Sequence, residues 1–525
     1  MRKLPISIQT FENIILGGMI YVDKTKYIHQ LANGGKYYFL SRPRRFGKSL
    51  LITTLKAYFQ GKKHLFEGLD IYEKEKDWVK YPVIHIDYSL VSYSSLDLFK
   101  HSLWTHIKSI AREYDIILKE KFAADALTEL VQKLTIKYKQ KVVILVDEYD
   151  KPMVDYLTKE ERFEENRSIL RELYGTLKGM DGDLRFVMLT GVSRFSKVSV
   201  FSGLNNLEDI SMHQDYSQIV GFSKEEVWDN FSDYLAPLHL KYNMSQKALA
   251  DGIQEWYNGF SFDGVSKLHN PFSIVALCSR QVFDNYWFST GTPTFLIDLI
   301  KEQKVLPETF EGIKVKDLTG SSLNMRNFPL VPLLYQTGYL TIQKTEREGF
   351  IDYFYLDYPN YEVKDSFLTY ITAAFLEKDE FEVQPEAIAL RDALKAEDLD
   401  AFVKHLTSFL TDIPSRLHIP QEAYYHSLVY LILRLVGAKA FLEKETDKGR
   451  IDAVVELPNH IYIIEFKFGK GKRIKRVSTL SQNAIKQIEA NKYYESYLSS
   501  NKKVILLGLG FLNKQLHGRM KMIKS

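Results

Sequence analysis

A basic loop near the start of the chain has the residue types and spacing of a phosphate-binding site. Gly47-Lys48-Ser49 ends the segment from Ser41 to Ser49, which lies between an apolar run and a stretch with helical periodicity. The pattern G-x-x-x-x-G-K-[ST] binds nucleotide phosphates in this context. Backbone N–H groups cradle the oxygens, Lys48 reaches the β- and γ-phosphates, and the Ser49 hydroxyl ligates Mg²⁺.

The loop departs from this pattern at one position, where Arg42 replaces the leading glycine. We expect the chemistry to survive the change, because backbone N–H groups do most of the binding. The three arginines of the loop should also strengthen its attraction for phosphate. The residues expected to contact the nucleotide are Arg44, Arg45, Phe46, Gly47, Lys48 and Ser49.

An acidic pair farther along the chain supplies the second half of such a site. Val142 to Val146 is wholly apolar and ends in Asp147-Glu148, as a buried parallel strand would. Ligands bind beyond the carboxyl ends of strands in open α/β sheets. We expect Asp147 to hold Mg²⁺ through water, and Glu148 to orient and deprotonate the attacking water. A solvated acidic turn is the alternative for either motif alone, and their order in the chain favours the nucleotide site.

A third element follows the next apolar run, at Thr190-Gly191-Val192-Ser193-Arg194. A polar side chain here can sense the γ-phosphate, and Arg194 could pair with it in cis or across an oligomer. The alternative is a loop arginine that pairs with a surface carboxylate. The sequence leaves both interpretations open.

A second group of candidate residues lies near the C-terminus, on two predicted strands, Arg450 to Leu457 and Ile461 to Phe468. Side chains alternate along a strand, so Glu465 and Lys467 share a face. Charges in so apolar a strand are costly unless they are paired or bound to metal. Asp452 can complete a carboxylate pair for Mg²⁺ or Mn²⁺, with Lys467 positioning water and the metal polarising a scissile phosphate. A plain Lys–Glu pair on a half-exposed strand is the alternative.

The formal net charge of +4 hides two basic regions. Lys24 to His64 contains ten Lys or Arg and no Asp or Glu, while Ile461 to Ser525 contains 14 basic and three acidic residues. Each region adjoins one of the candidate sites, so we expect phosphate-bearing partners there. A nucleic-acid backbone could be followed by the residues after the second site, Lys470, Lys472, Arg473, Lys475 and Arg476.

Apolar runs that alternate with amphipathic stretches predict an α/β domain with a largely parallel sheet in the first third of the chain. Its predicted strands are 37–40, 83–86, 141–146 and 185–190. A mostly helical middle region follows, opened by a capping box at Ser223 and Glu226. A second α/β unit comes after an acidic break at 377–386, which Pro385 interrupts. The predicted domains are 1–222, a helical or winged lid and connecting region at 223–375, and 376–525.

Composition excludes several other classes of protein. Apolar residues make up 45% and charged residues 26% of the chain, as in soluble globular proteins. The single cysteine, Cys278, excludes a disulfide framework and a cysteine-rich zinc site, and it fits a reducing cytoplasm. No apolar run approaches the ~18 residues that span a bilayer. We therefore expect a cytoplasmic protein without a membrane partner.

The chain from Ile6 to about Phe222 closely resembles the bacterial AAA-ATPase-like proteins. The family's phosphate loop also lacks the first glycine. The resemblance implies a P-loop domain that binds ATP with Mg²⁺. It is carried by Tyr21-Val22-Asp23-Lys24-Thr25, by Arg42-Pro43-Arg44-Arg45-Phe46-Gly47-Lys48-Ser49, by Asp147-Glu148-Tyr149-Asp150-Lys151-Pro152 and by Thr190-Gly191-Val192-Ser193-Arg194-Phe195-Ser196-Lys197.

The stretch from about Glu386 to Leu509 resembles the PD-(D/E)xK nuclease superfamily and the nuclease domain that follows this ATPase in many relatives. Ile451 stands where the superfamily's name has proline. The resemblance implies a C-terminal α/β domain with a restriction-endonuclease-like fold. It assigns catalytic roles to Asp452, Glu465, Lys467 and Gln487 and adds Glu422 as a third acidic metal ligand, with His426 one helical turn away as an assistant or a core residue.

Together these features predict an ATPase that regulates a Mg²⁺-dependent endonuclease domain acting on DNA, with RNA a less favoured substrate. ATP binding or hydrolysis would move the middle region and so control the C-terminal domain. The alternative is an ATP-dependent switch whose nuclease-like domain is catalytically silent and only grips nucleic acid. Assembly into a homo-oligomer stays open, because Arg194 alone does not decide it.

Overall fold

The computed structural model describes residues 1–194, 200–201, 204, 206–288, 296–297, 299–300, 303, 310–318, 329–376, 380–411, 429, 431–433, 439–446, 449–469, 476–512 and 515–524. The chain forms two compact units. One comprises Met1–Gln303 and Phe310–Lys364, and the other Lys304–Thr309 and Asp365–Ser525. The middle region thus belongs with the first unit as far as Lys364, and the predicted boundaries at 222 and 375 stay predictions.

The first unit is built around a parallel sheet of five described strands, in the order β2-β3-β4-β1-β5. β1 and β3 are buried along their whole length, which accounts for their unbroken apolar sequences. The four strands predicted from the sequence are confirmed, and only the short edge strand was missed. The strands are β1 Tyr37–Ser41, β2 Val83–Asp87, β3 Val142–Asp147, β4 Leu184–Gly191 and β5 Glu208–Asp209.

Helices connect these strands. Ser95 caps the longest helix between β2 and β3 by accepting a hydrogen bond from the backbone N–H of Leu98. In the part of the chain that the structure describes, no helix is both long and apolar enough to cross a membrane. The helices are α1 Phe11–Leu16, α2 Thr25–Asn33, α3 Lys48–Phe59, α4 Asp70–Lys74, α5 Leu96–Glu113, α6 Ala123–Tyr138, α7 Lys151–Val154 and α8 Glu160–Gly179.

The middle region is mostly helical, as predicted, and begins with the predicted capping box at Ser223 and Glu226. Its helices share a buried apolar core that includes Phe231, Ile253 and Ile274. A small antiparallel sheet of order β6-β8-β7 follows. The elements are α9 Lys224–Lys241, α10 Gln246–Tyr257, α11 Pro271–Arg280, β6 Ile313–Val315, α12 Leu330–Thr337, β7 Thr341–Glu348, β8 Ile351–Asp357 and α13 Tyr361–Leu376.

The C-terminal unit holds a mixed sheet of order β13-β12-β11-β10-β9, in which β11 and β12 run parallel and the other neighbours antiparallel. The helix between the two parallel strands crosses one face of the sheet, so the predicted α/β unit is confirmed. The elements are α14 Glu380–Lys395, α15 Leu399–Thr411, β9 Lys439–Thr446, β10 Gly449–Glu456, β11 His460–Gly469, α16 Val477–Asn491, β12 Lys503–Leu512 and β13 Gln515–Lys524.

Pro385 does not interrupt the chain as expected, since it lies inside α14. A proline here costs one backbone hydrogen bond. The same helix buries Val383 and Leu390 completely, and this burial offsets the loss. The predicted acidic break around 377–386 therefore contains the start of a helix.

Gly508→Ala should destabilise the C-terminal unit. A Cβ atom at Gly508 would lie 2.4 Å from the carbonyl oxygen of Ser481 on α16. This oxygen belongs to the backbone of a helix, so it cannot rotate away from the new methyl group as a flexible side chain could. We therefore expect a loss of about 1–3 kcal/mol in the free energy of unfolding. Urea unfolding of the full-length chain measures the change.

Gly175→Ala in α8 is the control, since a Cβ atom there meets nothing within 4 Å. It should be neutral or should stabilise the protein by up to about 1 kcal/mol. A Gly508→Ala variant as stable as the wild type would contradict the close approach of α16 to β12.

Candidate nucleotide site and candidate nuclease site

The phosphate loop leaves β1 at Ser41 and enters α3 at Lys48. Two of its residues have left-handed backbone, Arg45 with φ of 65° and Gly47 with φ of 97°. Left-handed residues in a tight turn direct neighbouring N–H groups to one side and form a hollow that binds anions. Arg42 has no positive φ, so the position of the missing first glycine does not require glycine.

The Lys48 side chain folds back onto the start of this loop. Its ammonium donates to the carbonyl oxygens of Arg42 and Pro43, each at 3.0 Å. Burial lowers the pKa of Lys48, and the nearby carboxylates of Asp147 and Glu148 oppose that shift. The loop thus holds a desolvated cation next to the acidic end of β3, where a nucleotide phosphate is expected.

Arg42 does not contribute to phosphate attraction as expected. Its guanidinium is buried and donates to the carbonyl oxygen of Ser211 at 2.6 Å and of Tyr216 at 3.3 Å. It also lies 4.0 Å from the centre of the Phe262 ring, on which it stacks. Carbonyl oxygens thus occupy both of its Nη groups, while its Nε has no partner among the described residues. Of the three loop arginines, Arg44 and Arg45 are exposed.

The acidic pair lies where β3 ends. Asp147 is buried and accepts hydrogen bonds from the Thr190 hydroxyl at 2.7 Å and from the backbone N–H of Glu148 at 3.0 Å. Glu148 has left-handed backbone, with φ of 53°. Burial raises the pKa of Glu148, partly offset by Lys48. A carboxylate with a raised pKa next to a phosphate loop suits a group that accepts a proton.

Asp150 and Tyr149 are structural partners of this turn that the sequence reasoning missed. The Asp150 carboxylate accepts hydrogen bonds from the backbone N–H groups of Val192 and Ser193, and the Tyr149 hydroxyl donates to the Ser193 carbonyl. A Cβ atom at Gly191 would lie 2.4 Å from Asp150 Oδ1, so the approach requires glycine. The sequence did contain a signal for this contact, because Tyr149 and Asp150 belong to the motif that begins at Asp147, and Gly191 to Ser193 belong to the motif that begins at Thr190.

Arg194 pairs with a carboxylate. Its Nε and Nη2 atoms lie 3.0 and 2.8 Å from Asp209 Oδ2, and its backbone N–H donates to Gln336. Arg194 is absent from the described wall of the nucleotide cavity. The predicted contact with the γ-phosphate, in cis or across an oligomer, stays a prediction. Within the described chain Arg194 makes the alternative pairing, with a half-buried carboxylate on the edge strand β5.

A cavity of about 500 Å³ opens over the phosphate loop. Its size and mixed lining are typical of a small-molecule site. Part of its wall is charged, formed by the loop with Glu148, Asp150 and the cations Lys24, Lys151 and Arg280. The rest of the wall is largely apolar, which suits a base. This part of the wall, which the sequence did not reveal, includes Pro5, Ile6, Ile8, Tyr21, Val22, Ile219, Val220, Pro271, Phe272, Val275 and Ala276.

β10 and β11 bring Asp452, Glu465 and Lys467 to one face of the C-terminal sheet. Val454 pairs with Ile463 across the two strands, and residues two apart share a face. The backbone N–H of Phe466 donates to Asp452 Oδ2 at 2.7 Å, and Lys467 Nζ lies 2.9 Å from Glu465 Oε1. The three predicted side chains are therefore neighbours.

Glu465 is the residue whose surroundings fit a metal ion. Its side chain is 1% exposed and its Oε2 atom has no hydrogen-bond partner among the described residues. Burial and the adjacent Asp452 raise its pKa to about 7, which Lys467 partly offsets. An unpartnered buried carboxylate oxygen beside a second carboxylate is a donor set for a divalent cation.

The remaining residues of the predicted nuclease site are less well defined. Glu422 and His426 lie outside the described residues, as do residues 470–475. Within the described chain, no group of three His, Cys, Asp or Glu side chains could hold a metal ion. Gln487 is half-buried on α16. Among the described residues, the hydrogen bonds of Asp452, Glu465 and Lys467 do not include Gln487. Its catalytic role stays a prediction.

Known proteins resemble this chain at both sites. Residues 5–201 match the family described as Predicted AAA-ATPase, and residues 420–519 match the PD-(D/E)XK nuclease superfamily. The protein described as an uncharacterized protein in the vnfD 5′ region of Azotobacter chroococcum mcd 1 is 35% identical over 517 residues, covering 97% of this chain and 96% of that one. The chain belongs to the AAA-ATPase-like family. Both predicted resemblances are confirmed.

Two solved structures share weak similarity with this AAA-ATPase-like protein. The Aeropyrum pernix ORC2 protein in its ADPNP–ADP complexes is 11% identical, with a TM-score of 0.26, and the match covers 66% of this chain and 92% of that one. Drosophila ORC bound to GC-rich DNA and Cdc6 is 13% identical, with a TM-score of 0.22, covering 44% and 37%. Scores this low support no argument on fold or function.

Glu465→Gln should stabilise this AAA-ATPase-like protein when divalent metal is absent. The substitution removes a buried charge that lacks a full set of partners, so we expect a gain of about 1–3 kcal/mol in the free energy of unfolding. Excess Mn²⁺ should stabilise the wild type and leave Glu465→Gln unchanged. Urea unfolding in EDTA and in Mn²⁺ measures both effects.

Glu456→Gln is the matched control, because Glu456 lies on β10, is half-buried and has only a loose pair with Lys502 at 3.6 Å. It should respond to Mn²⁺ as the wild type does. Equal stabilisation of the wild type and Glu465→Gln by Mn²⁺ would remove Glu465 from the metal site.

Proposed function

We propose that this protein is an ATPase whose nucleotide state regulates a Mg²⁺-dependent endonuclease domain acting on DNA. The observation that carries the ATPase half is the cavity over the phosphate loop, which Lys48 and Glu148 both line, with the carboxylate of Asp147 near enough to oppose the lowered pKa of Lys48. The family matches support the coarser statement, a nucleotide-binding ATPase domain joined to a nuclease-like domain.

In the nucleotide site, backbone N–H groups of the loop and the Lys48 ammonium bind the phosphates. Ser49 and Asp147 would hold Mg²⁺, which neutralises phosphate charge when bound. Glu148 orients the attacking water and accepts its proton, for which the raised pKa of this carboxyl is suited. The exposed guanidinium groups of Arg44 and Arg45 attract the triphosphate to the cavity.

In the C-terminal domain, Asp452 and Glu465 would hold Mg²⁺ or Mn²⁺, which polarises a phosphodiester when bound. The Lys467 side chain is 31% exposed, so its ammonium can reach a substrate while it stays paired with Glu465. It orients water or a phosphate oxygen. The local charge of the last 65 residues, with 14 basic and three acidic side chains, supports a nucleic-acid backbone as the partner, which we propose to be DNA. A cytoplasmic location, which the single cysteine suggests, belongs to the same proposal.

Lys48→Ala should lower the rate of ATP hydrolysis by about 10²-fold or more, because it deletes the cation that meets the β- and γ-phosphates. Phosphate release by the full-length protein measures the rate. Lys63→Ala is the control, since Lys63 is exposed, belongs to the same basic region and lies outside the described cavity wall. Unchanged hydrolysis in Lys48→Ala would refute the assigned site.

Asp452→Ala should abolish cleavage of plasmid DNA in the presence of ATP with Mg²⁺ or Mn²⁺, since it removes a ligand of the cation. Gel analysis of the plasmid measures cleavage, and Glu456→Ala should cut as the wild type does. A wild-type protein that leaves every DNA and RNA substrate intact would overturn the nuclease half. Nucleic-acid binding with ATP turnover, both unaffected by Asp452→Ala, would indicate the silent domain.

A further inference from the structure

Glu362 is a buried carboxylate outside both candidate sites. It lies in the first turn of α13 and is fully buried. Its oxygens accept hydrogen bonds from the Ser273 hydroxyl at 2.8 Å and from the backbone N–H of Trp287 at 2.6 Å, and Tyr286 supplies a further backbone donor. Burial raises the pKa of Glu362 to about 7. Neutral donors thus hold a carboxylate that is costly to bury, and its position in the first turn of α13 offsets part of that cost.

The donors of Glu362 connect it to the phosphate loop. The Trp287 indole N–H donates to the carbonyl oxygen of Arg44 at 3.0 Å, and the Asn270 amide lies 3.4 Å from the same oxygen. Asn270 caps α11, the helix that carries Ser273. These hydrogen bonds form a closed ring, which passes along α11 between Ser273 and Asn270. We call its members, Arg44, Trp287, Glu362, Ser273 and Asn270, the Glu362 ring.

Part of the ring borders the nucleotide cavity. α11 contributes Pro271, Phe272, Val275, Ala276 and Arg280 to the cavity wall. The Arg45 guanidinium lies 5.2 Å from the centre of the Phe272 ring. A ligand that fixes the loop and α11 therefore also fixes the donors that Glu362 requires.

The other part of the ring is α13 itself. The boundary between the two compact units falls after Lys364, so the chain enters the C-terminal unit within this helix. Lys364 lies 2.8 Å from Glu311, and this ion pair holds the same end of α13 without joining the Glu362 ring. The ion pair and the Glu362 ring are thus two of the described contacts at the start of α13, where the Tyr361 ring also packs against Trp256. The hydrogen bonds of the Glu362 ring connect this turn to the phosphate loop.

We propose that Glu362 is the positioning residue that couples occupancy of the cavity by a nucleoside triphosphate to the start of α13. The proposal rests on the proposed ATP-binding function and names the route of its regulation. Coupling is reciprocal: if ATP orders α13 through Glu362, disruption of the ring must also weaken ATP binding.

The experiment compares Glu362→Gln with the wild type as full-length proteins. Equilibrium binding of a fluorescent ATP analogue in EDTA gives affinity, and hydrogen exchange of residues 361–376 with and without ATP reports on α13. We expect ATP to slow exchange in wild-type α13. In Glu362→Gln, that effect should be lost and ATP affinity should fall by about 5- to 50-fold, the range of typical coupling.

Glu311→Gln is the matched control. It should speed exchange in α13 equally with and without ATP, and it should leave ATP affinity within about twofold of the wild type, because its ion pair with Lys364 includes no member of the Glu362 ring. Trp287→Phe, which deletes the indole donor to Arg44 together with part of the ring that packs on Phe260 and Tyr339, provides a second test. Its effect on ATP affinity should be less than additive with that of Glu362→Gln, because both break the same ring.

Wild-type affinity together with ATP-dependent protection of α13 in Glu362→Gln would overturn the proposal. The same loss of affinity in Glu311→Gln would also overturn it, since general loosening of α13 would then be the cause. Failure of the wild type to bind the ATP analogue at all would instead refute the proposed function.

Discussion

A loop that directs its N–H groups at a phosphate directs its carbonyl groups outward, and those carbonyls must find donors elsewhere. This constraint organises the first unit. Lys48 donates to the carbonyls of Arg42 and Pro43. The Trp287 indole N–H donates to the carbonyl of Arg44, and the backbone N–H of Gly221 donates to the carbonyl of Phe46. The helical middle region is therefore part of the nucleotide site as well as a cover for it.

Sequence predicted the parts of this arrangement that depend on local chemistry. The strands around the phosphate loop and Asp147 have unbroken apolar runs, and buried parallel strands require such runs. The partner of Arg194 could not be predicted, because Asp209 belongs to a two-residue edge strand without periodicity. The apolar part of the cavity wall also could not be predicted. It includes Pro271 and Phe272, which are far from the loop in sequence and approach it only through long-range packing.

In the C-terminal unit, too, some features could be predicted from the sequence and others could not. Alternation along β11 was enough to predict that Glu465 and Lys467 share a face, because strand geometry has a fixed period. β13 was not predicted, although Leu516, Met520 and Met522 alternate with polar residues along this edge strand. The position of Gln487 depends on how α16 is rotated over the sheet, and sequence spacing leaves that rotation open.

Arg42 gives the departure from the usual phosphate-loop pattern a physical meaning. Its guanidinium supplies donors to carbonyl oxygens of Ser211, Tyr216 and Ser217, in the segment that follows β5. A glycine at this position would match the usual pattern, but it would remove the donor to the Ser211 and Ser217 carbonyls and leave a buried void. The Tyr216 carbonyl would keep the backbone N–H of Ile219 as a donor. In this chain, the glycine of the usual pattern would therefore be a damaging substitution.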